Sequence, residues 1–195
     1  MTTLGRKIGI ILIYLLLIAN ILGCTAPLAD DKNEIDQEDN PTSIIEKNEE
    51  LEEGLFKGDL SLPFTLQDME GVLKGIEDYR GKLVFLNFWS NGCSLCVEEL
   101  ITLEGFFREN QQEAVVISIN IGGEKQEVDR FIQEHQLSFP VLLDKNREVA
   151  NAYHIQSTPT TYVIDKNGII RNIHLGPMDR TKIETYQQEA LKNYK

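Results

Sequence analysis

Residues 55–195 are predicted to form an α/β sandwich, a central mixed β-sheet with helices on both faces, and three observations carry that expectation. Leu83–Trp89 and Ala114–Ile121 are apolar runs rich in β formers, the pattern of strands covered on both sides. Residues 98–110, between them, have a helical period, so strand, helix and strand follow in the order of a right-handed parallel crossover. Further on, Thr160–Ile164 and residues 169–175 flank Lys166-Asn167-Gly168, a β-hairpin signature in which Asn-Gly supplies positive φ angles.

The remaining elements follow in order along the chain. Residues 64–66 and 72–74, around a turn at 68–71, predict a small extra hairpin, which leads to the turn Tyr79-Arg80-Gly81. In the helix of residues 98–110, Leu100, Leu103, Phe106 and Phe107 fall on one stripe, and Glu99, Glu104, Arg108 and Glu109 are placed largely opposite. A second helix is expected over Lys125–His135, where Val128, Phe131 and Ile132 share a face, then a short strand at 141–143. A last helix is expected over residues 179–194, after Gly176-Pro177. No internal repeat is visible.

The first 54 residues differ in character. Arg6 and Lys7 precede fifteen uncharged residues, 8–22, and Ile21-Leu22-Gly23-Cys24 then sets a small residue before a cysteine. A basic n-region and an apolar h-region are the parts of a secretion signal. As a helix the uncharged run would reach only about 22 Å, short of a hydrocarbon core of roughly 30 Å. The ILGC ending resembles the lipobox of bacterial lipoproteins, so residues 1–24 are expected to be a signal peptide with Cys24 as the lipid attachment site. The rival is an uncleaved membrane anchor continued to Ala29, with the basic residues left in the cytoplasm. Either way the rest of the chain lies outside the cytoplasm, anchored to the cell membrane.

Residues 25–54 hold eleven Asp or Glu against two Lys, nine of the formal twelve negative charges. Such a segment buries too little apolar surface to offset the entropy of ordering, and is expected to be a disordered tether. From residue 55 onward, fifteen Lys or Arg stand against twenty Asp or Glu, which argues against nucleic acid as partner.

With Cys24 set aside, the folded part has one cysteine pair, in Phe88-Trp89-Ser90-Asn91-Gly92-Cys93-Ser94-Leu95-Cys96. A structural zinc site usually draws on two such pairs. His135, His154 and His174 would have to be recruited across the fold, and each reads more simply as a surface or sheet histidine. A purely structural bridge between such close residues would restrain little of the unfolded chain. Cys93 falls where a buried strand gives way to a helix, near unpaired N–H groups and the positive end of the helix dipole. Both favour the thiolate, the species that attacks disulfides.

The strand ending Phe88-Trp89, the Cys93-x-x-Cys96 pair opening a helix, and Ser157-Thr158-Pro159-Thr160-Thr161-Tyr162-Val163-Ile164-Asp165 resemble the thioredoxin superfamily. Within it the chain is similar to AhpC/TSA- and Redoxin-like proteins, and specifically to TlpA/ResA-like membrane-tethered thiol–disulfide oxidoreductases. The resemblance covers residues 58–195, including an N-terminal hairpin and an insertion around residues 122–139. It implies a thioredoxin-like fold and a redox-active Cys93–Cys96 disulfide with no other cofactor and no metal. It implies a cis Pro159 facing that disulfide, and a substrate surface of Thr158, Pro159 and Trp89. It also implies a catalytic Glu99 that moves the proton of Cys96, three residues away on nearly the same helix face. The implied partners are protein disulfides or dithiols of exported proteins, for example in cytochrome c maturation, and a membrane electron donor, with the protein itself a monomer.

Two departures stand out: Gly92 occupies a position that relatives fill with tryptophan, and Leu95 one that is often proline. A peroxidase reading draws on Ser90, three residues before Cys93, but Leu86 stands where that motif has proline. A copper-carrying module of the same fold would space its cysteines by three residues, not two. The glycines at 122–123 lack the lysine and spacing of a phosphate loop.

Overall fold

The computed structural model describes residues 52–192. Residues 1–24 with Cys24, and residues 25–51 of the expected tether, lie outside the described residues.

A seven-stranded mixed sheet runs in the order β4 (Leu73–Gly75), β3 (Thr65–Asp68), β7 (Val141–Asp144), β6 (Ala114–Ile121), β5 (Leu83–Trp89), β8 (Thr160–Ile164) and β9 (Ile170–Leu175). Its centre is β5 (Leu83–Trp89), parallel to β6 (Ala114–Ile121) on one side and antiparallel to β8 (Thr160–Ile164) on the other. All seven residues of β5 and all eight of β6 are buried, which is why neither strand alternates in sequence. Leu83, Phe85 and Trp89 join one core cluster, while Val84, Leu86 and Phe88 join the other. Each fully buried side chain of this kind contributes about 1.5–3 kcal/mol.

The first face is covered by α1 (Ser94–Asn110), α2 (Lys125–His135) and α4 (Arg180–Lys192), through Leu100, Leu103, Phe106, Val128 and Ile183. The second is covered by the short α3 (Glu148–Ala152), a 3-10 turn at Ile76–Tyr79 and the N-terminal segment, around Phe88, Tyr153 and Tyr162. The α/β sandwich and its thioredoxin-like expectation are met.

Several local expectations need adjustment. Helix α1 begins at Ser94, four residues earlier than its apolar period, because the Cys93 sulfur caps it. Glu99 and Glu104, placed on its polar side, are both buried. Helix α3 is too short to show a period; the buried Asp144 carboxylate fixes its start by accepting from the N–H groups of Val149 and Ala150. In the β8–β9 turn Gly168 alone takes a positive φ, 88°, and the Asp165 carboxylate accepts from Asn167 N and Ile169 N, so Asn167 needs no left-handed backbone.

The predicted N-terminal hairpin, β3 (Thr65–Asp68) and β4 (Leu73–Gly75), extends the main sheet, because β3 also pairs with β7 (Val141–Asp144). Glu53 and Gly54, the last residues of the expected tether, form a two-residue strand β1 parallel to β2 (Leu60–Ser61). The segment between them pairs with the start of β9 (Ile170–Leu175): Gly58 N donates to Ile170 O, and Ile170 N to Asp59 O.

Candidate active site

Strand β5 delivers the chain to the first face of the sheet and α1 carries it away. The three residues between them, Ser90, Asn91 and Gly92, set the cysteines. Cys93 is extended (φ −96°, ψ 102°) and N-caps α1, its Sγ accepting from Cys96 N at 3.1 Å. That is the anion-favouring position the sequence implied. Cys93 and Cys96 form a disulfide with Cα atoms 5.3 Å apart. Cys96 is wholly buried and Cys93 only partly so, which leaves Cys93 as the sulfur within a partner's reach.

Thr158-Pro159 lies against the pair. The bond is cis, Thr158 O sits 3.5 Å from Cys93 Sγ, and the Ser90 and Thr158 hydroxyls are 3.2 Å apart. Pro159 O is held from the other side by Gly176 N. Trp89 does not share this surface: its ring is wholly buried and stacks on Phe131 at 4.5 Å, so it supports the loop from beneath and offers nothing to a substrate.

Glu99 is 1% exposed and lies on the side of α1 that faces the sheet. Asn87 Nδ2 donates to its Oε2 at 2.9 Å and to Thr161 Oγ1 at 2.9 Å, and the Thr161 hydroxyl donates to Oε1 at 3.3 Å. Met178 N is a further donor to the carboxylate. Burial nonetheless dominates and pushes the Glu99 carboxyl up to about 7, against the pull of the Asn87, Met178 and Thr161 donors. A carboxyl there can accept or release a proton near neutral pH. Glu99 also lines a cavity of about 340 Å³, with Thr102, His174, Met178, Asp179 and Lys182 around it.

Asn87 and Thr161 carry no expected role in the sequence. Asn87 is the one polar residue inside an apolar strand, and its Cα partner in β8 is Thr161. A polar residue in such a run needs a buried partner, and that signal was available. Of the three histidines, His135 stacks on Phe131, His154 is exposed, and His174 contacts the Tyr186 hydroxyl at 3.1 Å. Among the described residues no group of three or more His, Cys, Asp or Glu side chains is placed to hold a metal ion.

Residues 58–173 match the AhpC/TSA family. Thiol-disulfide oxidoreductase ResA of Geobacillus thermodenitrificans is 36% identical over 130 residues, 66% of this chain and 75% of the relative. Thioredoxin-like protein YneN of Bacillus subtilis is 35% identical over 136 residues, 68% of this chain and 79% of the relative. Among solved structures, the pneumococcal exposed lipoprotein thioredoxin Etrx1 of Streptococcus pneumoniae is 30% identical with a TM-score of 0.55, covering 65% of this chain and 99% of that one.

Proposed function

This chain belongs to the AhpC/TSA family and is a thiol–disulfide oxidoreductase, and we propose from that premise that it reduces disulfides of exported proteins through a Cys93–Cys96 cycle. The observation that carries the reading is the asymmetry of the pair. One sulfur caps a helix and is partly open, while the other is buried three residues from a buried acid. In the reduced protein the Cys93 thiolate attacks one sulfur of a substrate disulfide. The other substrate sulfur leaves as a thiolate and takes a proton, and a mixed disulfide is formed. Glu99 then accepts the Cys96 proton, and the Cys96 thiolate attacks Cys93 Sγ. The Cys93–Cys96 disulfide forms, and the second substrate sulfur leaves as a thiolate and takes a proton, so two electrons have passed to the substrate. Thr158 and Pro159 hold the extended substrate against Cys93. A membrane electron donor supplying two electrons returns the pair to the dithiol.

Apocytochrome c cysteines awaiting haem attachment are the substrate class proposed, and the protein acts as a monomer. The chain is tethered outside the cytoplasm through lipid on Cys24, with the acidic residues between Cys24 and β1 as spacer. The similarity to a protein described as an exposed lipoprotein supports this. Labelled palmitate is expected to enter the wild-type protein and not Cys24→Ala; unlabelled full-length protein with its first 23 residues intact would favour the uncleaved anchor.

The decisive experiment is Cys96→Ser expressed in the native host. Attack by Cys93 then cannot be resolved, and mass spectrometry is expected to find exported proteins with paired cysteines attached at Cys93. Recovery of none, together with rapid hydrogen peroxide turnover by the unmutated protein, would overturn the reading in favour of a peroxidase.

A further inference from the structure

The three-residue loop before Cys93 is held from two directions. On one side Ser90 meets the Thr158 turn. On the other, Asn91 Oδ1 accepts from Asn120 Nδ2 at 2.7 Å, and Asn120 Oδ1 accepts from Gly123 N at 3.0 Å. Asn120 is wholly buried near the end of β6, in register with Trp89, the last residue before the loop. Both ends of its carboxamide are therefore committed: one to the cysteine loop, the other to the start of the insertion that carries α2. The fit is close, because a Cβ on Gly123 would stand 2.2 Å from Asn120 Oδ1 and 2.9 Å from Val128 Cγ2.

We propose that Asn120 is a positioning residue for the thiol–disulfide reaction. Its carboxamide latches Asn91, and through the two peptide units that follow sets the backbone of Cys93, so that Sγ sits on the N-terminus of α1. The inference rests on Cys93 being the attacking sulfur. Loop residues alone do not fix that geometry: Gly92 has open space around it, and Cys93 N has only the local bond to Ser90 O at 3.1 Å. The insertion thereby takes part in the redox centre without touching either sulfur. Phe131 of α2, stacked under Trp89, supports the same loop from below.

The test compares Asn91→Ala, Gly123→Ala and the double variant in the full-length protein. The readouts are the iodoacetamide rate of Cys93 at pH 7, the potential against glutathione, and the urea midpoint. Gly123→Ala approaches the latch from a different segment, by displacing the Asn120 carboxamide. Each single change is expected to slow alkylation about three- to tenfold and make the potential about 15 to 30 mV more negative, as thiolate stabilisation is lost. The double variant is expected to be no slower than the slower single, since both remove one interaction. Unchanged rates and potential in Asn91→Ala, or effects that multiply in the double variant, overturn the latch. A wild-type protein whose two thiols alkylate equally slowly instead overturns the oxidoreductase reading, and the latch with it.

Discussion

Two glutamates on helix α1, five residues apart, show how differently one fold can use a buried carboxyl. Glu99 is 1% exposed and Glu104 6%. Around Glu99 the donors are neutral, namely the Asn87 amide, the Thr161 hydroxyl and the Met178 N–H. Around Glu104 they are the Ser138 hydroxyl at 2.6 Å, Ser138 N at 2.7 Å and Arg108 Nε at 2.5 Å. Burial pushes both carboxyls up. At Glu104 the Ser138 bonds and the guanidinium more than offset it and hold the group below its ordinary range, whereas at Glu99 nothing does. Loss of solvent alone does not make a proton carrier; loss of solvent that the surrounding hydrogen bonds and charges fail to offset does. Glu104 braces α1 to the residues after α2, and Glu99 is left free to titrate.

The largest expected consequence is in the pH dependence of stability. The folded protein holds the Glu99 proton up to about pH 7, while the unfolded chain releases it near 4.5. Stability linked to this group is therefore fully present below pH 4.5, declines as the unfolded state ionises, and is lost by the time pH passes 7. The total is on the order of 3 kcal/mol. Urea midpoints of the wild type and Glu99→Gln are expected to diverge in the variant's favour between pH 5 and pH 8. Parallel curves would mean that Glu99 is solvated and unlike what its surroundings suggest.

Next in size is the effect on the reaction. Glu99→Gln keeps an acceptor for Asn87 but cannot take the Cys96 proton. Resolution of a mixed disulfide on Cys93 is expected to slow roughly a hundredfold near pH 7, the low end of what a positioned general acid or base contributes. The gap should narrow as pH rises and Cys96 ionises unaided. Equal single-turnover rates at pH 6.5, 7.5 and 8.5 would make the titration of Glu99 a by-product of packing. Glu104→Ala, by contrast, is expected to leave the redox rate alone and to lower stability by about 2 kcal/mol, because two Ser138 donors and a guanidinium lose a charged acceptor.

How much of this contrast was legible in the sequence follows from where the partners lie. Strands β5 and β6, helix α2 and the β8–β9 hairpin announce themselves because each buries a regular or unbroken set of neighbours in sequence. The cysteine pair and Thr158-Pro159 were legible as a resemblance. The role expected of Glu99 came from that resemblance too, since its own surroundings are Asn87 on β5 and Thr161 on β8, 12 and 62 residues away. The burial of Glu104 could not be read at all: Ser138 is 34 residues on, and a glutamate in a helix full of glutamates reads as solvated surface. Trp89 misled for the opposite reason. It stands next to the reacting loop in sequence, but strand alternation turns its ring into the core with Leu83 and Phe85.

The smallest expected effect separates the two causes that keep Glu104 ionised. Arg108 is 55% exposed along its side chain, so its attraction for Glu104 is screened by water and worth under about 1 kcal/mol. The shorter-range Ser138 bonds rank ahead of it among the influences that lower the Glu104 carboxyl. A depressed carboxyl stabilises the fold above its unfolded titration range and loses that contribution as pH falls through the folded one. Arg108→Ala should therefore leave stability at pH 7 almost unchanged and move the acid limb of unfolding only slightly upward. Ser138→Ala should move that limb further, although Ser138 carries no charge. Measured acid midpoints in the reverse order, with Arg108→Ala costing as much as Glu104→Ala, would mean that the guanidinium and not the hydrogen-bond geometry distinguishes Glu104 from Glu99. A cation placed near Glu99 would then be enough to silence it.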